Sequence, residues 1–106
     1  MNQLEEILSK LSEQNDLLKI VRSKYLAAEA CRKHYEARMI AIALGKSNAE
    51  KLVNAQATES WRKQAVAIAS LESDFEFERL KFSILEREYQ AVYFTLKLDS
   101  ETIRKS

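Results

Sequence analysis

Two apolar seams separated by a single glycine constrain this chain more than any other feature. The first reads Ile7, Leu11, Gln14, Leu18, Val21, Tyr25, Ala28, Arg32, Tyr35, Met39 and Ile42. The second reads Ile68, Leu71, Phe75, Glu78, Phe82, Leu85, Tyr89, Val92, Leu96, Asp99 and Ile103. Both advance by alternating threes and fours, the period that keeps one side of a helix against a partner helix. Gly45 is the only glycine, and the chain has no proline. The pattern predicts an all-α protein: a long antiparallel helical hairpin or coiled coil, forming one domain of 106 residues.

The spacing predicts a first helix over about residues 3–44. Asn2 is placed to cap it, and Glu5 and Glu6 favour the positive end of the helix dipole. Gly45 is the expected left-handed residue just past its C-terminus. The run Ser47-Asn48-Ala49-Glu50 is a capping box, in which the Ser47 hydroxyl accepts from the Glu50 N–H and the Glu50 carboxylate reaches back. A tight turn at 45–47 and a second helical stretch over about 48–104 follow. Residues 54–60 are poorer in strong helix formers. The stretch either passes straight through them or breaks near residue 58, with Thr58 or Ser60 capping a new helix that opens at Trp61.

Phe77, Leu80, Ile84, Phe94 and Leu98 lie beside the second seam and widen its apolar surface. One hairpin covers one face of each helix, and large uncovered apolar patches are rare on monomers. We therefore expect a homo-oligomer, a dimer at least. The seam residues Phe75, Phe82, Leu85, Tyr89, Val92 and Leu96 are the expected subunit interface. Gln14, Arg32, Glu78 and Asp99 interrupt the seams. Either they set register, through an Arg32–Glu78 or Arg32–Asp99 contact, or the seam drifts and they reach solvent.

Catalytic chemistry finds little here. A single glycine rules out a glycine-rich phosphate loop, and no nucleophile elbow, HExxH or CxxC is present. The carboxylates Glu72, Asp74, Glu76 and Glu78 alternate, which spreads them around a helix instead of converging them. His34 has Cys31 three residues before it, but two ligands do not make a metal site. The bland reading is a surface histidine and a semi-buried filler cysteine among Ala27, Ala28 and Ala30. Pairs such as Glu59–Lys63 and Glu101–Lys105 are ordinary helix-supporting ion pairs. We expect no enzyme activity, no cofactor and no metal. No basic-then-apolar leader opens the chain, and no apolar run approaches the ~20 residues that span a bilayer. A soluble, cytoplasmic protein without membrane contact is expected.

The formal net charge is +1, from 17 basic and 16 acidic residues, so no strongly basic footprint advertises nucleic acid. Basic residues do cluster locally: Arg38 on the first helix, Lys46 and Lys51 around the turn, then Arg62 and Lys63 beside Trp61. Aromatic and basic groups together are what single-stranded nucleic acid binding uses. The competing reading is a solvated helix face with Trp61 as a core anchor.

The order of elements also carries a resemblance. A long amphipathic helix leads to a Gly45-Lys46-Ser47 turn, then to an Ala-rich segment with Ala57, Ser60 and Trp61. A long final helix follows, with Tyr89, Leu96, Leu98 and Arg104 towards its end. Over roughly residues 35–106 this resembles small helical proteins of bacteriophage and prophage recombination regions. More distantly, it is similar to UvsY-type recombination mediators. The resemblance implies a cytoplasmic oligomer, in the host cell if phage-encoded. It would bind single-stranded DNA through Arg38, Lys46, Lys51, Arg62 and Lys63, and help load a recombinase onto strands coated by single-strand-binding protein. Oligomerisation would multiply weak basic patches into a usable electrostatic footprint. The alternative is a helical interaction module, such as a phage-encoded inhibitor or adaptor of a host protein, with no nucleic acid contact. A structural or chaperone-like coiled-coil subunit is a third reading.

Overall fold

A computed structural model describes the backbone of residues 2–105 and the side chains of residues 2–102. Ile103, Arg104 and Lys105, which enter the expected seam, resemblance and ion pairs, lie outside the described side chains. The described residues form three helices: α1 (Gln3–Ile42), α2 (Asn48–Gln56) and α3 (Glu59–Lys105). The fold is all-α, built on the expected helical hairpin. It divides into two units: one joins the chain up to Ile20 with the chain from Glu76 onward, and the other is Val21–Phe75.

In the first unit, α1 opens on the expected cap, with the Glu5 N–H donating to Asn2 Oδ1 at 2.8 Å. The two helices run antiparallel. Leu4 lines a cleft with Tyr93 and Leu96, and further along, Leu11 and Asn15 line one with Phe82 and Tyr89. Gln14 then meets Glu78. In the second unit, Tyr25 and Phe75 stack with ring centroids 5.9 Å apart and planes 7° from parallel. Arg32 and Glu36 face Trp61, Gln64 and Ile68 across the pair.

The seam periodicity is visible in burial. From Trp61 to Val92, the positions Trp61, Gln64, Ile68, Leu71, Phe75, Glu78, Phe82, Leu85, Tyr89 and Val92 are all buried or half-buried. On α1 the same holds from Ile7 to Arg32 and again at Met39. The seams fail at Tyr35, which is exposed, and at their ends. Ile42 is exposed because α1 stops there, and Leu96 and Asp99 are exposed where α1 has only just begun. The core is thin: among the described residues, Ile7, Met39, Ala55 and Ile68 are the buried apolar ones, and no large side chain is fully buried.

The link between α1 and α2 departs from expectation in one respect. Helix α1 ends two residues early, at Ile42, with the Ala43 N–H turned to the Ile40 carbonyl at 3.2 Å. Gly45 is therefore not the residue directly past the helix. It sits against the first turn of α2, with φ +154°. The capping box forms with a shift. The Glu50 N–H donates to Ser47 Oγ at 3.2 Å as expected, but the Glu50 carboxylate accepts from the Lys46 N–H at 2.8 Å, not from Ser47. The Asn54 side-chain amide donates to the Leu44 carbonyl at 2.5 Å, which ties α2 back to the end of α1. Beneath it, Ala55 is completely buried.

The break near residue 58 is present. Helix α2 ends at Gln56 and α3 begins at Glu59, two residues ahead of the Trp61 start expected for a new helix. Thr58 makes the junction. Its hydroxyl donates to the Ala55 carbonyl at 2.7 Å and accepts from the Trp61 N–H at 3.2 Å. One side chain thus adds a second donor to the Ala55 carbonyl, which also accepts from the Thr58 N–H at 3.1 Å, and satisfies an orphan N–H of α3.

Candidate functional site

Large apolar side chains remain exposed on every helix, and on α3 five of them fall in one row. Phe77, Leu80, Ile84, Phe94 and Leu98 are each between 48% and 62% exposed. With Arg87 and Ala91, also exposed, they again advance by threes and fours. Each helical residue turns the direction by about 100°, so a residue two places after a seam position points nearly to the opposite side. Phe77 follows the seam residue Phe75, Leu80 follows Glu78, and Ile84 follows Phe82 in this way. Helix α3 therefore carries two apolar stripes on opposite faces. The inner one is covered by α1 and the outer one is bare.

Local interactions pin the rim of the outer stripe. The Lys81 ammonium lies 4.4 Å from the Phe77 ring centroid, and it reaches Glu78 at 3.5 Å. Glu76 holds Arg79 at 2.5 Å. Phe94 meets Tyr93 edge-on, 6.1 Å between centroids. These contacts lie within single turns of α3 and leave the stripe itself open.

The residues expected to form a subunit interface occupy the other stripe. Phe75 is stacked on Tyr25, Phe82 and Tyr89 face Leu11, and Leu85 and Val92 are half-buried in the same row. Leu96 alone of the set is exposed, facing the start of α1 beside Leu4. The outer stripe was legible as extra apolar positions. Its own heptad spacing was the signal that marks it as a second seam.

The polar interruptions pair differently from expectation. Glu78 is engaged by Gln14, whose side-chain amide donates both to the Glu78 carboxylate and, at 3.0 Å, to its backbone carbonyl. Arg32 makes neither expected contact. It turns to Glu29 at 3.0 Å and Glu36 at 3.9 Å on its own helix, and Asp99 is exposed. Cys31 is exposed, not the semi-buried filler expected, because it falls on the flank of α1 away from the seam. His34 is exposed. Among the described residues, no three of His, Cys, Asp and Glu converge on a point that could hold a metal ion. Among the described residues, no helix is long and apolar enough to cross a membrane.

The five candidate nucleic-acid residues all fall in the Val21–Phe75 unit: Arg38 on α1, Lys46 in the turn, Lys51 on α2, Arg62 and Lys63 on α3. All are exposed except Lys51, which is half-buried. Lys63 is shared with Glu59 at 3.5 Å, and among the described residues none of the other four makes an ion pair. The near-neutral total hides an asymmetry. Val21–Phe75 holds nine basic and six acidic residues, whereas the other unit holds eight basic and ten acidic. Trp61 is half-buried in the cleft with Arg32, Glu29 and Glu36, in the position of a core anchor.

No family model matches the chain, and no curated protein and no solved structure is significantly similar to it.

Proposed function

We propose that this is a non-catalytic assembly protein whose working surface is the outer face of α3, and that its partner lays a helix along that face. The observation that carries this is the bare heptad stripe from Phe77 to Leu98. Exposed Phe, Leu and Ile side chains on a strict three–four step match a missing helix, because only a helix repeats its contacts at that interval. Leaving so long an apolar row, interrupted only by Arg87, in water is unfavourable, so its presence argues for a protein that covers it. The test is site-specific photocrosslinking in cells expressing the chain. A benzophenone-bearing phenylalanine at Phe77 or Phe94 should give a discrete protein adduct, and one at Tyr35 should not. Adducts absent from both outer-face positions, or equally strong at Tyr35, would overturn the reading.

A second reading is favoured by the charge asymmetry: the mediator role implied by the phage-type resemblance, with single-stranded DNA on the basic Val21–Phe75 unit. Binding would then be steeply salt-dependent, because each neutralised phosphate releases counterions. Fluorescence anisotropy with a labelled single-stranded oligonucleotide should show binding at low salt. Arg62→Glu with Lys63→Glu should weaken it by roughly tenfold or more and flatten the salt dependence by about two contacts. No binding at low salt by the folded protein would remove this reading.

A further inference from the structure

We propose that the occupant of the outer face of α3 is the same face of a second copy, laid antiparallel so that Phe77 of one protomer lies level with Phe94 of the other. This rests on the reading of that face as a protein-binding surface and adds the partner, its direction and its register. With Phe77 and Leu80 as the first two core positions of a heptad, the seam continues through Ile84, Arg87, Ala91 and Phe94. The residues that flank it are then Glu76 and Lys97 on one rim, and Lys81 and Glu88 on the other.

In an antiparallel pair each rim faces its own counterpart. At the proposed register, Glu76 comes opposite Lys97 of the second copy, and Lys81 comes opposite Glu88. Each pair is offset by about two residues, roughly 3 Å along the axis, which long side chains span easily. Both rims are therefore complementary, and the two-fold axis repeats every pair. The core layers match in size as well: Phe77 lies against Phe94, and Leu80 against the small Ala91.

Arg87 decides the direction. A parallel pair would set Arg87 against Arg87 in one apolar layer, two like charges with no carboxylate between them. The antiparallel pair sets it beside Ile84 and offsets the two Arg87 residues by three positions, about 4.5 Å along the axis. There its stem can cover the isoleucine while the guanidinium reaches water at the rim. The ion pairs that Glu76 and Lys81 now make with Arg79 and Glu78 are surface contacts of little net worth, and they can be exchanged or shared.

Sedimentation equilibrium of the purified chain, with Cys31→Ser to prevent adventitious disulfides, tests this. A dimer is expected at micromolar concentration. Leu80→Asp should weaken association at least a hundredfold, since the two-fold axis places two charges in the apolar core of the seam. Leu80 is already 60% exposed, so circular dichroism should show unchanged helicity in the monomer. Glu76→Lys should weaken the dimer roughly tenfold by turning two attractions into repulsions. Glu76→Lys combined with Lys97→Glu should restore it. A monomer throughout the micromolar range, a dimer indifferent to Leu80→Asp, or a failure of Lys97→Glu to rescue would each overturn the proposal. A monomer whose Phe94 photoadduct contains a different protein keeps the face as a binding surface but removes the second copy from it. Absence of any adduct removes both.

Discussion

Gly45→Val should destabilise the fold by about 2–4 kcal/mol, and Gly45→Ala should already carry most of that loss. Two independent costs meet at this position. The backbone holds φ +154°, a conformation that side chains with a Cβ rarely adopt. A Cβ built there would also stand 2.9 Å from the Lys51 nitrogen and 3.0 Å from Glu50 Cβ, with the Glu50 carbonyl carbon at 3.2 Å. The nearest atom is backbone, and it is committed: the Lys51 N–H donates to the Ser47 carbonyl at 3.0 Å as the first turn of α2. Relief would require α2 to move. That movement would strain the Glu50–Lys46 and Asn54–Leu44 hydrogen bonds, which hold α2 to the turn. Urea titration followed by circular dichroism measures the effect as a lower midpoint at similar slope. Glu50→Ala, which removes the carboxylate acceptor of the Lys46 N–H but keeps the Ser47 cap on the Glu50 N–H, should cost nearer 1 kcal/mol. If Gly45→Ala fell within about 0.5 kcal/mol of the parent, as for an ordinary surface change, this account of the turn would be wrong.

The contrast between Gly45 and its neighbours shows what was legible before any coordinates. Seam positions, the Asn2 and Ser47 caps and the Thr58 junction depend on chemistry within one or two helical turns, so spacing alone exposes them. The early stop of α1 does not. It is accompanied by the Asn54 amide on the Leu44 carbonyl, a contact between residues ten apart that no local pattern announces. The exposure of Cys31 was hidden for a related reason. Ala27, Ala28 and Ala30 precede it, so composition could not say which side of α1 faces the seam. The outer stripe of α3 was the harder case. Two stripes with the same period run along one helix, and periodicity cannot tell which of them α1 covers. The interface set Phe75, Phe82, Leu85, Tyr89, Val92 and Leu96 belongs to the inner stripe, which leaves Phe77, Leu80, Ile84, Phe94 and Leu98 exposed. Likewise the polar seam residues were visible one by one, but their pairing across helices was not.

That pairing supports the second large effect, Gln14→Leu, with an expected cost of about 2 kcal/mol despite the gain in apolar volume. Gln14 is only 7% exposed and lies on the α1 seam. Its amide donates to the Glu78 carboxylate, and hydrogen bonds to charged groups contribute about 1.5–3 kcal/mol. Leucine would leave that half-buried carboxylate facing an apolar neighbour, with Lys81 at 3.5 Å as its remaining partner. Such a partly exposed ion pair contributes little and cannot offset the loss. Glu78→Leu alone should also destabilise, since it strips one acceptor from a buried amide that retains the Glu78 carbonyl at 3.0 Å. The double variant should behave differently. Gln14→Leu with Glu78→Leu makes the seam continuously apolar, and replacing both partners of a buried polar pair is often neutral or stabilising. A double-mutant cycle from urea midpoints should therefore give a coupling energy of about 1–3 kcal/mol. The register of the two helices should loosen at the same time, because the polar pair is what penalises a slip of the seam. Broadened amide resonances around Leu11 and Phe82 in the double variant would report it. A Gln14→Leu protein as stable as the parent would show that apolar packing alone holds the helices level.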